Sequence, residues 1–244
     1  MRLAVQLYTL RNLDESLPET IERLGDTPYE GVQFAGLGGA SPDDLAAALD
    51  RANLDVAGAH VDLEEMEDRR ERTLEAYDAV DCDQLVVPSY EREAFETREG
   101  AEAAGERLAG VTDRLEPAGV DLHYHNHTFE FTEIGEETAF DAFAAAAGGV
   151  GLEIDTGLAS HAGVDPVALL ERYADRVSLV HLTDSRPGSE ETLHVDLGTG
   201  TVDIEACVDA AREAGAEWLI FEHGLTDHPL DSVADAAERL DQLL

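Results

Sequence analysis

Residues 150–157 read VGLEIDTG: an apolar run that ends on an aspartate, then a threonine and a glycine that break it. Three other stretches have the same form: VDLHYHNH (120–127), VSLVHLTD (177–184) and EWLIFEHG (217–224). Each reads as a buried parallel strand, followed by polar residues and then a helical pattern. His125, Asp155, His181 and Glu222 therefore fall at the carboxyl ends of four consecutive strands. In a closed α/β barrel that end gathers the active site. Imidazoles and carboxylates with no thiolate suit a divalent ion such as Mn²⁺, Co²⁺ or Zn²⁺, with Mg²⁺ also admitted.

Working outward, the strand-then-helix rhythm repeats eight times. The expected strands are Leu3–Leu7, Gly31–Phe34, Val56–His60, Gln84–Pro88, Val120–Tyr124, Gly151–Asp155, Ser178–Leu182 and Trp218–Glu222. Ser41-Pro42 and Asp165-Pro166 open helices with a cap and a first-turn proline. Gly119, Gly149 and Gly215 stand where helices stop. Helices are expected around 63–79 and 92–116. Eight units in 244 residues match one (β/α)₈ TIM barrel over residues 1–244. A doubly wound open sheet would want a glycine-rich phosphate loop after the first strand, where this chain has YTLRNLDES.

Composition narrows the partners. The chain has 16 basic and 54 acidic residues, a formal charge of −38, and 43% hydrophobic residues. All the basic residues are arginine. Such a surface repels nucleic-acid phosphate and anionic lipid, so neither is an expected partner. The acids are spread along the chain, which reads as a salt-adapted surface screened in concentrated salt. Cys82 and Cys207 lack metal-type spacing and read as buried thiols of a reducing compartment. With no apolar run of membrane length and no signal-peptide pattern, a cytoplasmic location is expected. Oligomeric state stays open.

Each ligand candidate has a plainer role. Asp155 suits a helix cap, and a lone strand histidine such as His181 is more often core. Glu222 is different, because a buried glutamate without a partner is costly. Four such residues at one end of four strands favour a shared cation. His123 and His125 share a strand face, so spacing alone does not choose between them. His60, His127 and Glu130 are expected substrate contacts, and Arg186 is the candidate for a phosphate. Asp184 is placed to orient a ligand. His194, His223 and His228 read as surface residues.

At these motifs the chain resembles the sugar phosphate isomerase and epimerase family with the xylose isomerase-like barrel. VQLYTLR, YEGVQFAG, HNHTFEF, EIDTGLASHAGVDP, RVSLVHLTD and LIFEHG follow the family's order, with Gln33 where a glutamate is common. The resemblance implies a divalent metal at the barrel mouth held by Asp155, His181 and Glu222. His125 takes the place of the family's first glutamate, and Leu158 a place that often carries histidine. The expected activity is metal-dependent isomerisation or epimerisation of a sugar, sugar phosphate or keto-polyol. It would proceed by proton abstraction α to a carbonyl through a metal-stabilised enediolate, with Glu222 and His125 as catalytic groups. An inosose dehydratase-like lyase on the same site and a non-catalytic sugar- or metal-binding barrel are the alternatives. The endonuclease branch of the barrel is disfavoured by the charge.

Overall fold

The computed structural model describes residues 1–244. Eight strands form a closed parallel barrel in sequence order. They are β1 (Arg2–Gln6), β2 (Gly31–Ala35), β3 (Asp55–His60), β4 (Gln84–Val87), β5 (Asp121–His125), β6 (Gly151–Asp155), β7 (Val177–Leu182) and β8 (Trp218–Phe221). β8 pairs back onto β1, with Val5 opposite Phe221, so no sheet edge remains. The expected (β/α)₈ barrel is the observed fold.

The local signals act as read. Ser41 Oγ accepts from Asp44 N at 3.2 Å, and Asp165 Oδ1 accepts from Val167 N at 3.0 Å. Gly119, Gly149 and Gly215 adopt positive φ of 75°, 78° and 81°, which releases the chain from each helix toward the next strand. Two long helices are interrupted. The first runs Leu63–Asp68 and Arg70–Asp78, broken at Arg69; the second is a short 3₁₀ turn, Arg92–Glu96, followed by Arg98–Leu115. Thr97 takes extended backbone there and caps the second part.

Side chains alternate across the sheet and build two cores. A large one fills the space between strands and helices. A small one, made of Ala4, Ala57, Val86, Leu179, Trp218 and Ile220, plugs the barrel interior toward the amino ends of the strands. Arg2 covers that plug, its guanidinium 4.2 Å from the Trp218 ring centroid. Gly31 makes room for it, because a Cβ there would lie 2.7 Å from the Trp218 ring. Two residues further along the same inward face the interior turns polar. Gln6 follows Ala4, Gln33 follows Gly31, Glu153 follows Gly151, His181 follows Leu179 and Glu222 follows Ile220. That polar layer is the floor of the mouth.

Candidate active site

Register decides which side chains meet. His125 on β5 lies opposite Glu153 on β6, and Asp155 lies opposite His181 on β7. Glu222, the residue immediately after β8, comes beside them. One donor atom each from His125, Asp155, His181 and Glu222 lies within 4.8 Å of the others. The four expected ligands therefore converge. His123, two residues earlier, is outside this grouping. It sits a layer deeper against Gly151, where a Cβ would fall 2.2 Å from its Nδ1.

The donor set fits a cation. Asp155 Oδ1 is spoken for, accepting from Leu158 N at 2.7 Å and Thr183 Oγ1 at 2.6 Å. Its Oδ2 is buried without a hydrogen-bond partner. A solitary buried carboxylate oxygen among imidazoles is what a bound cation would satisfy. Asn126, the residue after β5, fixes this strand end by accepting from Asp155 N at 3.0 Å.

The electrostatics follow from burial and proximity. Burial pushes the Asp155 carboxyl up to about 6, against the pull of His125 and His181. Burial also opposes ionisation of Glu222, but the hydrogen bond and charge of His181 outweigh it and hold Glu222 well below the ordinary carboxylate range. His181 Nδ1 lies 3.1 Å from Glu222 Oε2. Burial would lower His181; the carboxylates of Glu153 and Glu222 instead raise it to about 10. His125 is lowered, mainly by burial.

Beneath this group lies one that sequence reading missed. Glu153 is fully buried. Its Oε2 lies 2.7 Å from His60 Nε2, 3.1 Å from His125 Nδ1 and 3.3 Å from His181 Nε2. Its Oε1 accepts from Gln33 Nε2. His60, His125, Glu153 and His181 thus form a second grouping of potential ligands that shares two histidines with the first. Burial works against the Glu153 charge, and the three imidazoles overcome it, holding the carboxyl well below its usual range.

Above the floor opens a cavity of about 590 Å³, lined among others by Tyr8, Arg11, His60, His125, His127 and Glu222. His127 stacks on Phe129 with ring centroids 5.6 Å apart. Burial holds its imidazole at about 3, so it is neutral. His194, read from sequence as a surface residue, also lines the cavity. The loop that carries it folds back over β8, where its Nδ1 accepts from Gly224 N at 2.9 Å. That bond leaves the ring hydrogen of the neutral imidazole on Nε2. His223 is likewise buried and not a surface residue, whereas His228 is exposed as expected.

Three expected contacts are placed elsewhere. Glu130 is fully buried outside the cavity lining. It accepts from Tyr124 Oη at 2.7 Å and His127 N at 2.9 Å, so it anchors the turn that carries His127. Arg186 belongs to an exposed loop, with Nη2 2.7 Å from Thr199 O. Asp184 does not reach the ligands. It receives the backbone N–H groups of Gly198, Gly200 and Val202 and folds the loop after β7.

Residues 19–243 match the xylose isomerase-like TIM barrel family. The chain belongs to that family. Among curated relatives it is 38% identical over 138 residues to the rhizopine catabolism protein MocC of Rhizobium meliloti, covering 50% of this chain and 42% of the relative. It is 36% identical over 112 residues to the inosose dehydratase of Geobacillus kaustophilus, covering 42% of this chain and 35% of the relative. The chain thus aligns with under half the length of either relative. In fold it is similar to a sugar phosphate isomerase/epimerase from Parabacteroides distasonis, with a TM-score of 0.80 at 21% identity over 98% of this chain and 93% of that one. It also resembles the IOLI protein solved with a zinc atom, with a TM-score of 0.71 at 17% identity over 100% of this chain and 96% of that one.

Proposed function

We propose that this chain is a keto-polyol dehydratase of the inosose type, removing the proton α to a carbonyl and expelling the β-hydroxyl as water. The observation that carries this reading is the single interior carboxylate presented to the cavity. Glu222 lines it, ionised against His181, and is the one interior carboxylate placed to take a proton from a bound substrate. The other lining carboxylates, Asp62 and Glu65, are exposed at the rim. Two-base epimerisation wants two proton carriers on opposite faces of the reacting carbon. One base suffices for elimination on one face.

In that reaction Glu222 takes the carbon-bound proton. The electron pair left behind becomes the new carbon–carbon double bond as the C–O bond to the β-hydroxyl breaks. Glu222 returns the proton to the departing oxygen, and water leaves. Neutral His127 and His194 orient the ring hydroxyls by hydrogen bonding. A divalent cation held by His125, Asp155, His181 and Glu222 would supply Lewis-acid polarisation of the carbonyl.

The lining also favours an uncharged substrate over a sugar phosphate. Its arginine, Arg11, is tied to the carbonyl oxygens of Tyr8 at 2.7 Å and Gly224 at 2.6 Å. The dehydratase relative adds support by sequence.

The test is product mass after incubating metal-loaded protein with a keto-inositol in deuterated solvent. Loss of one water supports dehydration. Deuterium uptake at the α-carbon without water loss would instead establish isomerisation or epimerisation. The Glu222→Gln variant should fall by about 10²–10⁴-fold in kcat. Undiminished turnover in folded Glu222→Gln would remove Glu222 from the mechanism.

A further inference from the structure

We infer that Glu153 is a positioning residue, whose carboxylate turns His125 and His181 so that Nε2 of one and Nδ1 of the other face the cation site. The inference rests on the reading of His125, Asp155, His181 and Glu222 as that site. It concerns the layer beneath, which no ligand or substrate needs to touch.

Glu153 has no solvent contact, so every hydrogen bond it makes is to protein. An ionised carboxylate only accepts. His125 Nδ1 at 3.1 Å and His60 Nε2 at 2.7 Å must therefore carry hydrogens. His125 is left with Nε2 as the nitrogen available to a cation. His181 Nε2 is bound more firmly still. It lies 2.6 Å from Gln33 Oε1 and 3.3 Å from Glu153 Oε2, two acceptors, which leaves Nδ1 on the side of Glu222.

The direction of each bond in this layer is settled by a chain that begins in the backbone. Tyr8 N donates to Gln6 Oε1 at 3.1 Å. Gln6 must then present its amide nitrogen, and Nε2 donates to Gln33 Oε1 at 2.6 Å. Gln33 in turn has only its amide nitrogen to offer Glu153 Oε1. One strand end thus fixes the orientation of two amides, one carboxylate and three imidazoles. A carboxylate fastened behind a metal-binding imidazole sets its ring rotation and raises its basicity.

Glutamine is the discriminating substitution. It keeps the size but offers one oxygen and an N–H₂ group to a ring of N–H donors. At least one imidazole then loses its acceptor and turns. A purely structural role for Glu153 would change the melting temperature of metal-free protein and leave the metal affinity of the folded chain untouched.

The experiment measures Co²⁺ affinity and stoichiometry of wild type and E153Q by competition with a chromophoric chelator. The visible Co²⁺ absorption is recorded for each, and circular dichroism confirms the fold. The expected result is one ion per chain in both, held about 10–100-fold more weakly in E153Q, with a changed band shape. If E153Q does not fold, E153D reads the same property, because it keeps the charge and shortens the reach. Equal affinity and an unchanged spectrum in a folded variant overturn the inference. Two ions in wild type and one in E153Q also overturn it, by making Glu153 a ligand. No Co²⁺ binding by wild type would sink the cation site itself and this inference with it.

Discussion

Two inward-facing pairs on neighbouring strands, His123/His125 and Glu153/Asp155, set which side chains reach the mouth of the barrel and which stay beneath it. A period of two places both members of a pair on one face, but depth along the barrel axis depends on the stagger of neighbouring strands, which no single strand encodes. His125 lies level with Glu153, and His123 level with Gly151; that register brings one to the proposed cation site and sets the other a layer deeper. Replacing His125 with alanine should weaken Co²⁺ binding by about 100-fold or more, beyond the range for outer-shell changes. His123→Ala should leave it within a few-fold of wild type. Equal losses in the two variants, measured by chelator competition, would contradict the assignment. Glu153 had a legible signal: a glutamate inside the apolar run VGLEI needs a partner wherever it is buried. The same reasoning exposed Glu222. At Glu153 that signal is masked by Asp155, which alone accounts for the strand-end motif.

At the scale of elements, the strands were legible because apolar runs bounded by helix-stop glycines leave little freedom, and every expected strand overlaps an observed one. The loops were not. Sequence placed Glu130 as a substrate contact and His194 as exposed, because a loop's path is set by hydrogen bonds between distant residues. Glu130 shows what such a bond implies for the turn at Phe129–Phe131. Burial raises its carboxyl from an ordinary 4.5 to about 7, despite the bonds from Tyr124 and His127. The folded value lies above the unfolded one, so folding favours the protonated form. Wild type should therefore lose stability as pH climbs from about 4.5 to 7, by about 3 kcal/mol in total, and lose no more through this group above that range. Urea unfolding of wild type and Glu130→Gln at pH 5 and pH 8 isolates the effect. The stability difference should shift toward the variant at the higher pH, and an identical difference at both values would refute it.

For the whole molecule, closure of the barrel followed from counting eight units, while the balance of its surface charge follows from composition. With a formal charge of −38 on 244 residues, like charges crowd one another in dilute buffer. Salt shortens the Debye length from about 10 Å at 0.1 M to about 3 Å at 1 M. The melting temperature should accordingly rise from dilute buffer into molar potassium chloride, by about 5 °C or more if screening recovers even 2 kcal/mol. A flat thermal profile across that range would count against salt adaptation. No helix is long and apolar enough to cross a membrane, so this charge is carried by a chain without a helical span.

The plug at the foot of the barrel has a use in measurement. Trp218 is the chain's single tryptophan, and its ring is enclosed where β8 closes on β1, beneath the guanidinium of Arg2. Its emission is therefore an optical gauge of one seam, at the opposite end of the barrel interior from the mouth. Cobalt bound at the proposed site would report the mouth by its absorption, and tryptophan emission reports the closed end. The two signals, followed together during denaturation, can tell loosening of the mouth from opening of the barrel in one unlabelled molecule.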